Sequence, residues 1–137
     1  CLDEERNRLW GYDWRKDYDG RPVEEYFLAV AQEDFRLRRC VNFAVRLGEK
    51  CIGEAVLYNL DWRGGAELGC RIAPEYAGCG YGTEAFAAAA DWALYGLGLA
   101  RVVAKCFKEN EASYKMLSFS MKRIGEDEQY FYFEKTI

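Results

Sequence analysis

Hydrophobic and polar residues change their spacing several times along the chain, and each change predicts an element. Val41, Phe43, Val45 and Leu47 alternate with other residues, the period of a half-buried strand. Gly48-Glu49-Lys50 turns the chain into a second strand, Cys51 to Asn59, and Asp61-Trp62-Arg63-Gly64-Gly65 turns it into a third, Ala66 to Ile72. Strands joined this closely predict an antiparallel meander. Upstream, Leu2, Leu9, Trp10 and Trp14 stand among charges, consistent with a helix ending near Gly11. Asp19-Gly20 marks a turn, and Pro22 suits a first helical position. Val23, Tyr26, Phe27, Val30 and Ala31 then recur at helical spacing to about Arg36.

Downstream, Phe86, Ala89, Ala90, Ala93, Leu94 and Leu97 fall on one face of a helix running from Thr83 to about Leu97. Gly96 and Gly98 end it. Arg101 to Phe107 reads as a strand, and Asn110-Glu111-Ala112-Ser113 opens a short helix reaching about Phe119. Met116, Leu117 and Phe119 are expected in the core. Two strands occupy Lys122 to Ile137, with Tyr130 to Phe133 in the last.

At 137 residues, half of them apolar or aromatic, the chain suits a single globular domain over 1–137. A net charge of −4 argues against nucleic acid as a partner. No apolar run approaches the roughly 20 residues of a membrane span, so no membrane partner is expected. Six cysteines (1, 40, 51, 70, 79 and 106) form no C-x-x-C pair, and the chain has no histidine. The usual zinc spacings are missing, so no metal site and reduced thiols in a cytoplasmic protein are expected. Without histidine, acid–base chemistry falls to carboxylates, tyrosines, hydroxyls, lysines or water. The chain opens on Cys1 without an initiator Met, and is expected to be N-terminally incomplete. The aromatic residues Trp10, Tyr12, Trp14 and Tyr18 suit either plain packing or a substrate cleft.

The stretch from Glu67 to Glu84 joins a strand, a loop with glycines at 78, 80 and 82, and a helix. Glycine opens backbone conformations closed to other residues, and loop N–H groups beside a helix N-terminus make an anion site. The dinucleotide fingerprint needs G-x-G-x-x-G, whereas this loop reads G-x-G-x-G; the Walker loop needs a lysine, which Gly82-Thr83 lacks. A plain turn before a helix is the other account of the glycines.

Ala77-Gly78-Cys79-Gly80-Tyr81-Gly82 resembles the Arg/Gln-x-x-Gly-x-Gly/Ala loop of the GNAT N-acetyltransferases, except at its first position. Ala66-Glu67-Leu68-Gly69 before the loop and Asn110-x-x-Ser113 after the next strand resemble the ribosomal-protein N-terminal acetyltransferase branch. The resemblance implies an α+β fold: an α/β sandwich with a mixed, mainly antiparallel sheet and helices on both faces, here lacking the family's first strand. It implies acetyl-CoA as acyl donor and direct transfer to an amine, from a small molecule or a protein N-terminus, in a ternary complex. Gly78, Cys79, Gly80, Tyr81, Gly82 and Thr83 would hold the pyrophosphate with backbone amides. The strand end at Arg71 and Ile72, on a splayed and bulged strand, would pair with the pantetheine arm and offer an oxyanion donor, and Asn110 would contact that arm. Glu67 would be the base and Ser113 the acid, with Tyr114 in reserve.

Strand alternation puts Glu67, Gly69 and Arg71 on one face and Leu68, Cys70 and Ile72 on the other. Glu67 serves as well to solvate that face, and Ser113 to start its helix. Ala77 stands where the family has Arg or Gln, and Ser120-Met121 where Gly-Phe is usual. These departures favour a second reading, a non-catalytic GNAT-fold module that binds acyl-CoA or a protein. A missing first strand would leave a sheet edge for a second copy, hence a possible homodimer.

Overall fold

The computed structural model describes residues 3–10 and 22–137. Helix α1 (Glu4–Trp10) and helix α2 (Val23–Arg36) precede the predicted meander, β1 (Val41–Leu47), β2 (Lys50–Tyr58) and β3 (Gly65–Ile72). A single 3-10 turn at Pro74–Tyr76 leads through the glycine loop to helix α3 (Tyr81–Asp91). Strand β4 (Arg101–Phe107), helix α4 (Glu111–Ser120), β5 (Lys122–Glu126) and β6 (Tyr130–Thr136) complete it. The aromatic residues Tyr12, Trp14 and Tyr18 lie outside the described residues.

One six-stranded sheet runs in the order β1-β2-β3-β4-β6-β5, antiparallel throughout except between β3 and β4. Side chains alternate across it as the strand period requires. Leu57 and Leu68 face each other on one side and pack beneath α3 and α4, with Phe86, Ala90, Ala93, Leu94, Leu117 and Phe133. Alanine at 89 and 90 lets α3 settle close on the strands, and buried Ala93 does the same just past its end. The opposite face carries the cross-strand pairs Glu54–Arg71, Val56–Gly69 and Tyr58–Glu67, covered by α1 and α2. This is the expected sandwich, with helices on both faces of a mixed sheet.

Two core expectations fail. The helix through α3 widens into a π turn over Trp92–Gly96, where the Leu97 N–H donates to the Trp92 carbonyl at 2.9 Å. The extra residue in that turn swings Leu97 off the apolar stripe, leaving it 44 % exposed. On α4, Phe119 lies about 200° around the helix from buried Leu117 and is 74 % exposed. Met121, just past the helix end, fills core space instead.

The sheet opens at its centre. Parallel pairing of β3 with β4 spans only Gly65–Glu67 against Arg101–Val103. Beyond it β3 stays with β2 as far as Ile72, while β4 follows β6 over its whole length. Each strand is held by its outer neighbour, and the two halves part. The expected bulge is absent, because the register of β3 with β2 is unbroken from Glu67 to Ile72. Loss of the inner partner, rather than a bulge, frees the backbone here.

Candidate functional site

The parted strands open a cleft of about 630 Å³, floored by Leu68 to Ile72 and walled by the glycine loop, β4 and the start of α4. Backbone groups alternate in direction along a strand. The Ala73 N–H donates to Ile52 on β2, and the Gly64 carbonyl accepts from Ala100 ahead of β4. By that parity Leu68, Cys70 and Ile72 turn their amides and carbonyls towards the opening, whereas Arg71 turns its backbone to β2. Ile72 is therefore placed to pair with an extended chain in the cleft. Arg71 reaches it through its side chain alone.

The glycine loop closes one end. Gly78 and Gly80 hold φ of +76° and +85°, a region that side chains disfavour. Gly82 is small for another reason: a Cβ there would meet Ile72 Cγ1 at 3.3 Å and Met116 Sδ at 3.4 Å. Helix α3 begins with no side-chain cap, so its first-turn amides, at Tyr81, Gly82 and Thr83, are left for an anion. These residues fit the diphosphate of a CoA. Ala77 and Gly78 also line the cleft, and nothing within 4 Å crowds Gly78 or Gly80. Cys79 lies outside the lining, exposed, its thiol donating to the Ala77 carbonyl at 3.7 Å.

Asn110 and Ser113 meet at the opposite wall. Asn110 Oδ1 accepts from the Ser113 N–H at 3.1 Å and caps α4, and Asn110 Nδ2 donates to the Leu9 carbonyl at 3.5 Å. The capping task falls to Asn110, and Ser113 lines the cleft. Tyr114 turns away: its ring packs edge-on against Phe131 and Phe133, at 5.0 and 5.6 Å between centroids. Lys115, on the same helix, lines the cleft and supplies a cation that the sequence did not single out. The thiol of Cys70, also in the lining, is pushed up to about 12 by burial and then by the charge of Glu54. It stays protonated and inert.

Glu67 sits where β3 and β4 part. Tyr58 Oη donates to its Oε1 at 2.8 Å, Asn59 Nδ2 donates to Oε2 at 3.1 Å, and Lys105 Nζ lies 3.7 Å from Oε1. Burial first, then the charge and hydrogen bond of Glu67, hold the Tyr58 phenol well above its ordinary pKa. Sequence inspection missed Tyr58 and Lys105; the β2–β3 register, which sets Tyr58 opposite Glu67, was the available signal.

Next to this group a second cavity of about 590 Å³ opens under α2. Phe27, Val30 and Val56 give it apolar walls, and Asp34, Glu54 and Asn42 give it acceptors. Trp10 and Arg71 stand between the two cavities. The indole lies against Gly69, where a Cβ would come within 2.5 Å of Nε1, and the Arg71 guanidinium stacks 4.6 Å from the indole ring. Arg71 also donates to Glu54 and to Asn7, which is 3 % exposed. This cluster anchors α1 to the face of β3 opposite the core.

The family profile described as an acetyltransferase (GNAT) domain matches residues 1–118. No curated protein matches the sequence. Solved structures with the same fold include a ribosomal-protein-S5-alanine acetyltransferase from Vibrio fischeri, with TM-score 0.78 and 23 % identity, over 96 % of this chain and 82 % of that one. A spermidine N-acetyltransferase from Vibrio cholerae, solved with CoA and spermine, has TM-score 0.80 and 14 % identity, over 98 % and 83 %. RimJ from Mycobacterium smegmatis, solved with CoA-disulfide, has TM-score 0.76 and 20 % identity, over 92 % and 66 %. With its sheet parted over a glycine loop and its profile matched over most of its length, the chain belongs to the GNAT acetyltransferase family, whose members use acetyl-CoA.

Proposed function

We propose that the protein is an N-acetyltransferase that moves an acetyl group from acetyl-CoA to a primary amine by direct transfer in a ternary complex. One observation carries this reading: two cavities meet where β3 and β4 part, with Trp10, Tyr58 and Arg71 lining both. One suits the acyl donor and the other the amine. When bound, acetyl-CoA supplies an activated thioester. Amides of Gly78, Gly80 and the first turn of α3 hold its diphosphate, with Lys115 adding charge. Ile72 pairs its backbone with the arm, and the amides facing the opening stabilise developing negative charge on oxygen. Glu67 takes the amine's proton, since an ammonium near pKa ~10 is no nucleophile. Ser113 Oγ returns a proton to the departing sulfur. Free thiols at Cys40, Cys51, Cys70, Cys79 and Cys106 favour a cytoplasmic setting.

A second reading, a module that binds CoA without turnover, draws on Glu67 itself, both of whose oxygens are engaged. Thiol release from acetyl-CoA over spermidine, an alanine-initiated peptide and an aminoglycoside separates the two. Turnover is expected with at least one, and Glu67→Gln should lower kcat by ~10²–10⁴ with CoA affinity unchanged. CoA binding without thiol release would establish the second reading.

A further inference from the structure

Glu67 carries the base role in the proposed reaction, yet its side chain lines neither cavity. It is 14 % exposed and sits behind Tyr58, Asn59 and Lys105. Asp34 and Glu54 can hold an ammonium in the second cavity, but on its way to a thioester in the cleft the amine passes the three residues that line both. Of the three, the Trp10 indole is a donor only, pressed against Gly69, and the Arg71 guanidinium cannot accept a proton and is paired with Glu54. A phenol can accept and donate at once.

We propose that Tyr58 is the residue that touches the amine, and that it relays the amine's proton to Glu67. The inference rests on the N-acetyltransferase reading. An N–H bond of the ammonium breaks and its proton passes to Tyr58 Oη. In the same motion the phenol's own proton crosses the 2.8 Å hydrogen bond to Glu67 Oε1. The products are a neutral amine with its lone pair free, a neutral phenol and a neutral carboxylic acid. One positive and one negative charge disappear together, and no further reactant is needed.

One feature of the surroundings agrees. The raised pKa of Tyr58 keeps its proton in place at the start, as a relay requires.

The test compares Tyr58→Phe, Glu67→Gln and the double variant, with the best acceptor of the amine panel. Phenylalanine keeps the ring and removes the oxygen. A relay in series predicts equal losses of kcat, ~10²–10⁴ each, and no further loss in the double variant. Adding the amine without acetyl-CoA should produce a near-ultraviolet tyrosine difference spectrum that Tyr58→Phe abolishes and Glu67→Gln keeps. Two protons in flight predict a curved dependence of the unaltered protein's rate on the deuterium content of the solvent, a measurement needing no variant. A phenol that merely holds Glu67 in place predicts a smaller loss in Tyr58→Phe than in Glu67→Gln, no amine-induced spectrum and a linear dependence. Any of these overturns the relay, as does full activity in Tyr58→Phe. If Glu67→Gln is impaired and Tyr58→Phe is not, the relay alone falls. If no amine in the panel releases thiol, the acetyltransferase reading falls with it.

Discussion

Single residues in the glycine loop act through backbone conformation. Gly80 sits at φ +85° with open space where a Cβ would go, so Gly80→Ala meets no clash and pays only for a left-handed backbone, ~1–2 kcal/mol. The strain falls on the turn that aims the first amides of α3. We expect CoA binding to weaken roughly tenfold, since ~1.4 kcal/mol is a factor of ten. Calorimetry on the two proteins checks this, and unchanged affinity would mean the loop amides do not meet the ligand. Gly82 obeys a different rule, closeness to Ile72 and Met116, which the letter G in a motif does not distinguish. Ser120 adds a mark of its own: its hydroxyl is buried with no hydrogen-bond partner among the described residues.

At the scale of elements, turns and caps hold the strands that part. The β2–β3 turn is closed by Asp61, whose Oδ1 accepts from the N–H groups of Arg63 and Gly65, both at 2.8 Å, while Arg101 reaches Oδ2 at 3.1 Å. The Gly65 amide first, then Arg101, hold its carboxyl below the usual range. A lowered folded-state pKa contributes stability above the unfolded value, roughly pH 4, and that stability is lost as pH falls through the folded value. Asp61→Asn keeps an acceptor and removes the charge. Its melting temperature should therefore lie below that of the unaltered protein at pH 6, with the gap narrowing towards pH 2. Thermal melts across that range test it, and a gap independent of pH would remove the charge from the explanation.

For the molecule as a whole, the open seam between β3 and β4 leaves the central floor strand without its inner partner. A ligand that pairs with that strand and with the first turn of α3 ties the two halves of the sheet together. Binding to the folded state alone stabilises by ~2.7 kcal/mol at a ligand concentration of about 100 Kd. With an unfolding entropy of ~2.1 cal/mol/K per residue over 137 residues, the midpoint should rise by about 9 °C. Differential scanning calorimetry with CoA measures this. An unmoved midpoint would show that the cleft does not take the ligand.

The sequence by itself determined what rests on local physics. Alternation and helical spacing placed β1 to β4, α2 and α4 within about two residues, because period and turn chemistry are properties of neighbours along the chain. Parity on β3 set Glu67, Gly69 and Arg71 on the face opposite Leu68 and Ile72. Tertiary structure decided what depends on residues distant in sequence. A π turn removed Leu97 from the core, while the exposure of Phe119 follows from helix phase alone. The seam arises because β3 and β4 hold different outer partners, which no local pattern records. For the same reason Trp10 on Gly69 and Lys105 beside Glu67 became visible only when elements far apart in the chain were laid side by side, whereas Tyr58 opposite Glu67 follows from the register of two consecutive strands.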